Sequence, residues 1–158
     1  MDKQSNSALI GSMHKRVLSD VEFMRSAEMD AKRQIRVIAA SGKQDRSGDI
    51  VETKGIVLEE FAKNPIILWA HDHYGLPVAK AVEMGLVKGK LELVLEFATA
   101  EVYAFADTVY KLMKGGFLKG VSIGAQVLEA EWMLDAKTDE VIGRRFVSLN
   151  LLEVSVVP

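Results

Sequence analysis

The segment Gly120-Val121-Ser122-Ile123-Gly124, continuing into residues 125–132 (AQVLEAEW), decides how the chain is read. A serine stands between two glycines, after a helix-like segment and before a strand-like one. The spacing is that of G-x-S-x-G, the nucleophile elbow, which needs strand, turn and helix in that order. Residues 125–132 read as a strand, so the α/β-hydrolase fold is excluded. Flanking glycines still let a backbone approach a bound carbonyl closely. Two readings stand: a serine in a turn, or a nucleophile carried into a strand. The choice depends on His71 upstream and Glu153 downstream.

Working outward, residues 99–114 predict a helix. Val102, Phe105, Ala106, Val109 and Met113 recur at helical spacing, Thr99 is placed to cap it, and Gly115-Gly116 ends it. Its apolar stripe faces the core or a second copy of the chain. Residues 144–157 predict a long final strand, separated from residues 121–132 by a polar loop over 135–143. Residues 77–87 and 90–97 predict a hairpin turning at Lys88-Gly89. Residues 66–71 form a strand apolar on both faces, as a buried strand is, and residues 34–40 form another. Residues 56–63 predict a short helix stopped at Asn64-Pro65, and residues 41–49 (SGKQDRSGD) a loop. Residues 16–26 give a first strand, and residues 1–15 a disordered N-terminal arm before a single folded domain over 16–158. Many strands with few helices predict an α+β fold, a β-rich barrel or sandwich.

Composition sets the bounds. The chain has 158 residues, 49% hydrophobic, enough for one sizeable core. Its 20 basic and 22 acidic residues leave a formal net charge of -2 and no electrostatic footprint for nucleic acid. Cysteine is absent, which removes disulfides, thiol nucleophiles and cysteine-ligated metals. No apolar run reaches the length of a membrane span. A soluble, intracellular protein is expected.

Three histidines are available: His14, His71 and His73. His71 and His73 flank Asp72 at the end of an apolar strand, where a side chain is held firmly yet stays reachable. A neutral imidazole there is the natural general base; the alternative is a pair solvated in a loop. A metal site would draw on His71 and His73 with Asp72, Asp45 or Asp49. Alternation over residues 147–157 puts Glu153 on one face with Val147, Leu149, Leu151, Ser155 and Val157. A carboxylate there needs a partner to be buried, and a histidine N–H would serve; otherwise Glu153 is exposed where the strand leaves the core. Asp72 competes for the same orienting role but points to the opposite face of a strand. Arg144 and Arg145 are either solvated or placed to stabilise an oxyanion.

The segments Asp45-Arg46-Ser47-Gly48-Asp49-Ile50-Val51, residues 65–72 (PIILWAHD), Gly85-Leu86-Val87, residues 118–124 (LKGVSIG) and residues 152–157 (LEVSVV) run in one order. In that order they resemble the prohead maturation protease family of tailed bacteriophages, from about Gln34 to the C-terminus. The resemblance implies a barrel flanked by helices, related to the herpesvirus assembly proteases (assemblin). It implies a serine endopeptidase without metal or cofactor, in which Ser122 is the nucleophile, His71 the general base and Glu153 the third member. The herpesvirus enzymes use a second histidine as third member, and no histidine follows His73 here. Implied substrates are the scaffold protein and the N-terminal segment of the major capsid protein, with self-cleavage, inside the prohead in the host bacterial cytoplasm. The herpesvirus relatives suggest a dimer. Family chains usually continue beyond the last strand, so a chain stopping at Pro158 reads as truncated, self-processed or a fragment. Two other functions compete: an inactive module of the same fold that binds capsid or scaffold, and a metal-dependent hydrolase built on His71 and His73.

Overall fold

Two long neighbouring strands near the C-terminus form the frame on which everything else is hung. The computed structural model describes residues 11–18 and 27–158. The strands are β1 (Ser12–Leu18), β2 (Gln34–Ala40), β3 (Ile50–Val51), β4 (Ile56–Val57), β5 (Ile66–Trp69), β6 (Ala79–Val87), β7 (Lys90–Phe97), β8 (Gly120–Leu134) and β9 (Val141–Val157). The helices are α1 (Ala27–Ala31), α2 (Glu59–Lys63) and α3 (Ala104–Lys114), with a 3-10 turn at Thr53–Gly55. Among the described residues all strands join one sheet, ordered β1-β8-β9-β5-β6-β7-β2, with β3 and β4 added to β9. β3, β4 and β5 run parallel to β9 and the remaining pairs are antiparallel. The result is a mixed, nearly closed barrel with a few helices, the α+β class expected.

β9 reaches β8 on one side and β5 on the other, and these contacts place the residues of interest. Val121 faces Val156 and Ile123 faces Val154 across the ribbon, and all four lie in the main core cluster. Ser122 faces Ser155, and Gly124 faces Glu153, one step out of phase with them. Alternation therefore sends the valines and isoleucine into the core and the serines to the other face.

Strict alternation would have put Glu153 on the face of Leu149 and Leu151. The pairing shifts between Gly124 and Ala125, whose partners are Glu153 and Leu151, so Leu152 is an extra residue in β9. A bulge of this kind flips the phase of the strand. Leu149 and Leu151 are core residues before it, Val154 and Val156 are core residues after it, and Leu152 is exposed. Glu153 thus leaves the core face and joins Ser155 on the side of Ser122.

Other boundaries moved for identifiable reasons. The hairpin turns at Lys88 (φ 48°) and Gly89 (φ 77°), as its sequence required. The helix expected over 99–114 begins at Ala104, because residues 99–103 make a turn in which Val102 and Tyr103 donate N–H bonds to the Thr99 carbonyl. Thr99 therefore does not cap α3 with its side chain. Ala106, Val109 and Met113 are buried as the stripe predicted, whereas Val102 and Phe105 are exposed. Asp107 takes salt bridges from Lys111 at 2.7 Å and Arg33 at 2.8 Å, fastening α3 to the start of β2. The hydrogen bond from Lys111 above all, helped by Arg33, holds that carboxyl below its ordinary range.

The expected helix over 56–63 is split: Ile56 and Val57 pair with Leu149 and Asn150, and only Glu59–Lys63 is helical. The strand expected over 66–71 ends at Trp69. β1 starts at Ser12, so residues 12–15 belong to a strand paired with β8 rather than to a free arm. Residues 1–10 of that arm, and residues 19–26 of the first strand, lie outside the described residues. Among the described residues no helix is long and apolar enough to cross a membrane.

Candidate active site

The site forms where β5 ends beside the C-terminal half of β9. β5 runs parallel to β9, pairing Ile67 with Val154, Leu68 with Ser155 and Trp69 with Val156. The chain must then leave the sheet, and it does so through two consecutive left-handed residues, Ala70 (φ 50°) and His71 (φ 62°). Each costs a non-glycine residue roughly 1–2 kcal/mol. Three hydrogen bonds hold the turn against that cost. Ala70 N–H donates to the Val156 carbonyl at 2.9 Å, His71 N–H to Ser155 Oγ at 3.2 Å, and Asp72 N–H to the Trp69 carbonyl at 2.9 Å. Strained backbone at a reactive side chain is a common mark of function.

This turn swings the His71 ring over the β8–β9 ribbon. Nε2 lies 2.8 Å from Ser122 Oγ, and Nδ1 forms a short contact with Glu153 Oε1. The carboxylate beside Nδ1 favours the proton there, which leaves Nε2 free to accept the serine proton. Ser155 Oγ donates to Glu153 Oε1 at 2.7 Å. One serine side chain therefore steadies both the carboxylate and the strained histidine backbone. Ser122 (1% exposed), Ser155 (0%) and Glu153 (6%) are buried, and the His71 side chain keeps 26% of its surface open. In so dry a place each hydrogen bond is stronger, and each loss of a partner costlier, than in water.

The arrangement brings together Ser122, His71 and Glu153, the three residues singled out in the sequence. Asp72 is turned away: its Oδ1 accepts N–H bonds from Tyr74 and Gly75 at 3.0 and 3.1 Å. Arg144 and Arg145 belong to another place. Arg144 faces Trp132 and Arg145 faces Glu131, nine or ten residues along β8 from Ser122, which is about 30 Å of strand. Their guanidinium groups are engaged with Asp49 and Glu52. Asp45 accepts backbone N–H bonds from Ser47 and Asp49, and Asp49 holds Arg144, so neither is aimed at His71 or His73. Among the described residues no group of three His, Cys, Asp or Glu side chains is arranged to hold a metal ion.

Two roles escaped the sequence reading. Ser155 carried a usable signal, since it stands two positions from Glu153 in a strand and so on its face. His73, which the sequence offers as a general base, a solvated loop residue or a metal ligand, has its Nε2 3.0 Å from the second oxygen of Glu153 instead. No spacing rule reports that contact, because it depends on a turn closing through residues 72–75.

With this geometry in view, comparison with known proteins is informative. A family model described as caudovirus prohead serine protease matches residues 62–158, a span that contains all three side chains. The chain belongs to that family. The prohead protease of Escherichia phage T5 is 34% identical over 142 residues, covering 85% of this chain and 63% of that one. A capsid polyprotein of Pseudomonas phage PAJU2 is 30% identical over 133 residues, covering 81% of this chain and 18% of the polyprotein. The chain thus spans less than two thirds of the length of either relative. Among solved structures, the bacteriophage T4 capsid assembly protease, gp21, superimposes with a TM-score of 0.59 at 10% identity, covering 94% of this chain and 98% of that one. At that identity the likeness speaks for a shared fold, and it agrees with the barrel described above.

Proposed function

We propose that this prohead protease family member is a serine endopeptidase of phage capsid maturation. Ser122 is its nucleophile, His71 its general base and acid, and Glu153 the carboxylate that orients His71. The observation that carries this reading is the unbroken path from Ser122 Oγ through both ring nitrogens of His71 to Glu153. As Oγ attacks the scissile carbonyl, its proton passes to His71 Nε2, and Glu153 stabilises the imidazolium through Nδ1–H. The imidazolium then protonates the leaving amine as the C–N bond breaks. Water, deprotonated by the same Nε2, hydrolyses the acyl-enzyme and restores Ser122. None of these steps uses a metal or cofactor.

The substrates we infer are the scaffold protein and the N-terminal segment of the major capsid protein, cut inside the prohead in the host bacterial cytoplasm. Self-cleavage is part of the same reading. The match to a stretch of a capsid polyprotein supports it: in that relative, a segment like this one lies within the same chain as capsid sequence.

The test is cleavage of the cognate scaffold and coat proteins by the purified protein, beside Ser122→Ala, with and without chelator. Wild type is expected to cut, the folded alanine variant to lose at least about 1,000-fold, and chelator to change nothing. An alanine variant that cuts as well as wild type, or activity abolished by chelator, overturns the assignment.

A further inference from the structure

Glu153 is held from two sides. On one, Oε1 meets His71 Nδ1 and the Ser155 hydroxyl. On the other, Oε2 lies 3.0 Å from His73 Nε2. We propose that His73 is a positioning residue of the catalytic group: its Nε2, in close polar contact with Oε2 though not aligned as a hydrogen bond, keeps the carboxylate turned toward His71. This rests on the serine-protease reading above.

The turn that delivers His73 is built for the purpose. Asp72 Oδ1 accepts the N–H groups of Tyr74 and Gly75, folding residues 72–75 back on themselves. A Cβ at Gly75 would come within 2.6 Å of Asp72 Oδ2, so a larger residue there would push on the carboxylate that closes the turn. The sequence Asp72-His73-Tyr74-Gly75 thus closes a tight loop that brings the ring of His73 to the outer oxygen of Glu153. The end of β5 fixes His71 on the near side of the same carboxylate, so one short segment grips Glu153 twice.

A carboxylate needs such a grip because its terminal torsion is soft, with broad wells rather than sharp ones. Rotation about that bond would carry Oε1 away from His71 Nδ1. Glu153 is buried while the His73 side chain keeps 56% of its surface, so His73 also stands between the carboxylate and solvent.

The experiment is a double-mutant cycle on purified full-length protein, read by steady-state cleavage and by the rate at which a serine-directed phosphonate inactivates it. His73→Ala is expected to lower kcat and the inactivation rate about tenfold, the scale of a lost polar contact with a charged group, with KM unchanged. His73→Gln, which keeps an amide donor near the position of Nε2, should recover most of that loss, and His73→Phe should not. In a Glu153→Gln background, His73→Ala should have little further effect, because the group it holds is already disabled. Unaltered kcat in a folded His73→Ala protein, a loss confined to KM, or full additivity with Glu153→Gln would each overturn the proposal. Ser122→Ala in the same series separates this outcome from failure of the protease reading: an active alanine variant refutes the nucleophile, whereas an inactive one with an unaffected His73→Ala refutes only the role of His73.

Discussion

Two buried carboxylates sit at opposite ends of the β8–β9 ribbon, and their partners set them apart. Near the loop end, Asp49 (5% exposed) receives Arg144 through Nη2 at 2.8 Å and through the backbone N–H at 2.9 Å. Near the C-terminal end, Glu153 (6% exposed) receives His71, His73 and Ser155. Both are buried to a similar degree. Arginine keeps its proton at every accessible pH, so the Asp49 pair is a fixed clamp holding the loop over residues 41–49 against β9. Histidine can accept and return a proton in the course of a reaction, so the Glu153 cluster can change charge where the Asp49 clamp cannot. Burial of a carboxylate is therefore a poor guide to function until the proton behaviour of its partner is known.

The comparison is tested most severely at Glu153. Glu153→Gln keeps the shape but removes the charge that favours the Nδ1–H tautomer and the imidazolium, and kcat should fall by about 1,000- to 10,000-fold. Its melting temperature should fall only modestly, because the amide fills the same volume while its nitrogen faces the side of His73. Steady-state kinetics beside a thermal melt decides the matter, and an active Glu153→Gln enzyme would remove the distinction drawn between the two carboxylates.

Asp49→Asn should behave in the opposite way. Its amide nitrogen would face the Arg144 guanidinium, and with Arg144 half exposed we expect a loss of about 2 kcal/mol in stability. The kcat of the folded fraction should be unchanged, since Asp49 lies some 30 Å of strand from Ser122. Urea unfolding together with kcat measured well below the melting temperature reads both quantities. A large fall in kcat with stability intact would make this end of the ribbon functional too.

The smallest effect is expected at Ser155, which stands between the two kinds of role. Ser155→Ala removes one donor to Glu153 and the acceptor of the His71 N–H, so about 1–2 kcal/mol should be lost, divided between stability and kcat. Ser155→Thr keeps the hydroxyl and should retain more kcat than alanine if its added methyl is accommodated. Equal kcat in the alanine variant and wild type would confine Ser155 to holding the backbone.

Much of this was legible beforehand in particular residues. Leu91, Leu93 and Leu95 alternate with Glu92 and Glu96, and that period announced β7. Lys88-Gly89 announced its turn. The glycine-flanked Ser122, the histidine at the end of an apolar strand and Glu153 in the last strand were all visible as types in places. These features are local: each depends on side-chain period, backbone freedom or residue chemistry within a few positions. Where local signals were misread, a partner distant in sequence had prevailed. Ile56-Val57 follows a helical period yet pairs with β9, and the turn at Thr99 delays α3 by five residues.

The sequence by itself determined the class of fold, most of its strands and the chemical types available for the site. The tertiary structure alone decided which of those groups meet. The bulge at Leu152 moved Glu153 off the core face, the left-handed pair Ala70-His71 aimed the imidazole, and the parallel pairing of β5 with β9 brought residues 71 and 153 together across 82 positions of chain. The physical reason is that a bulge or a strained turn is locally unfavourable and persists only because contacts with remote segments sustain it. A reading of neighbouring residues sees the cost of such a feature, while its compensation lies elsewhere in the chain.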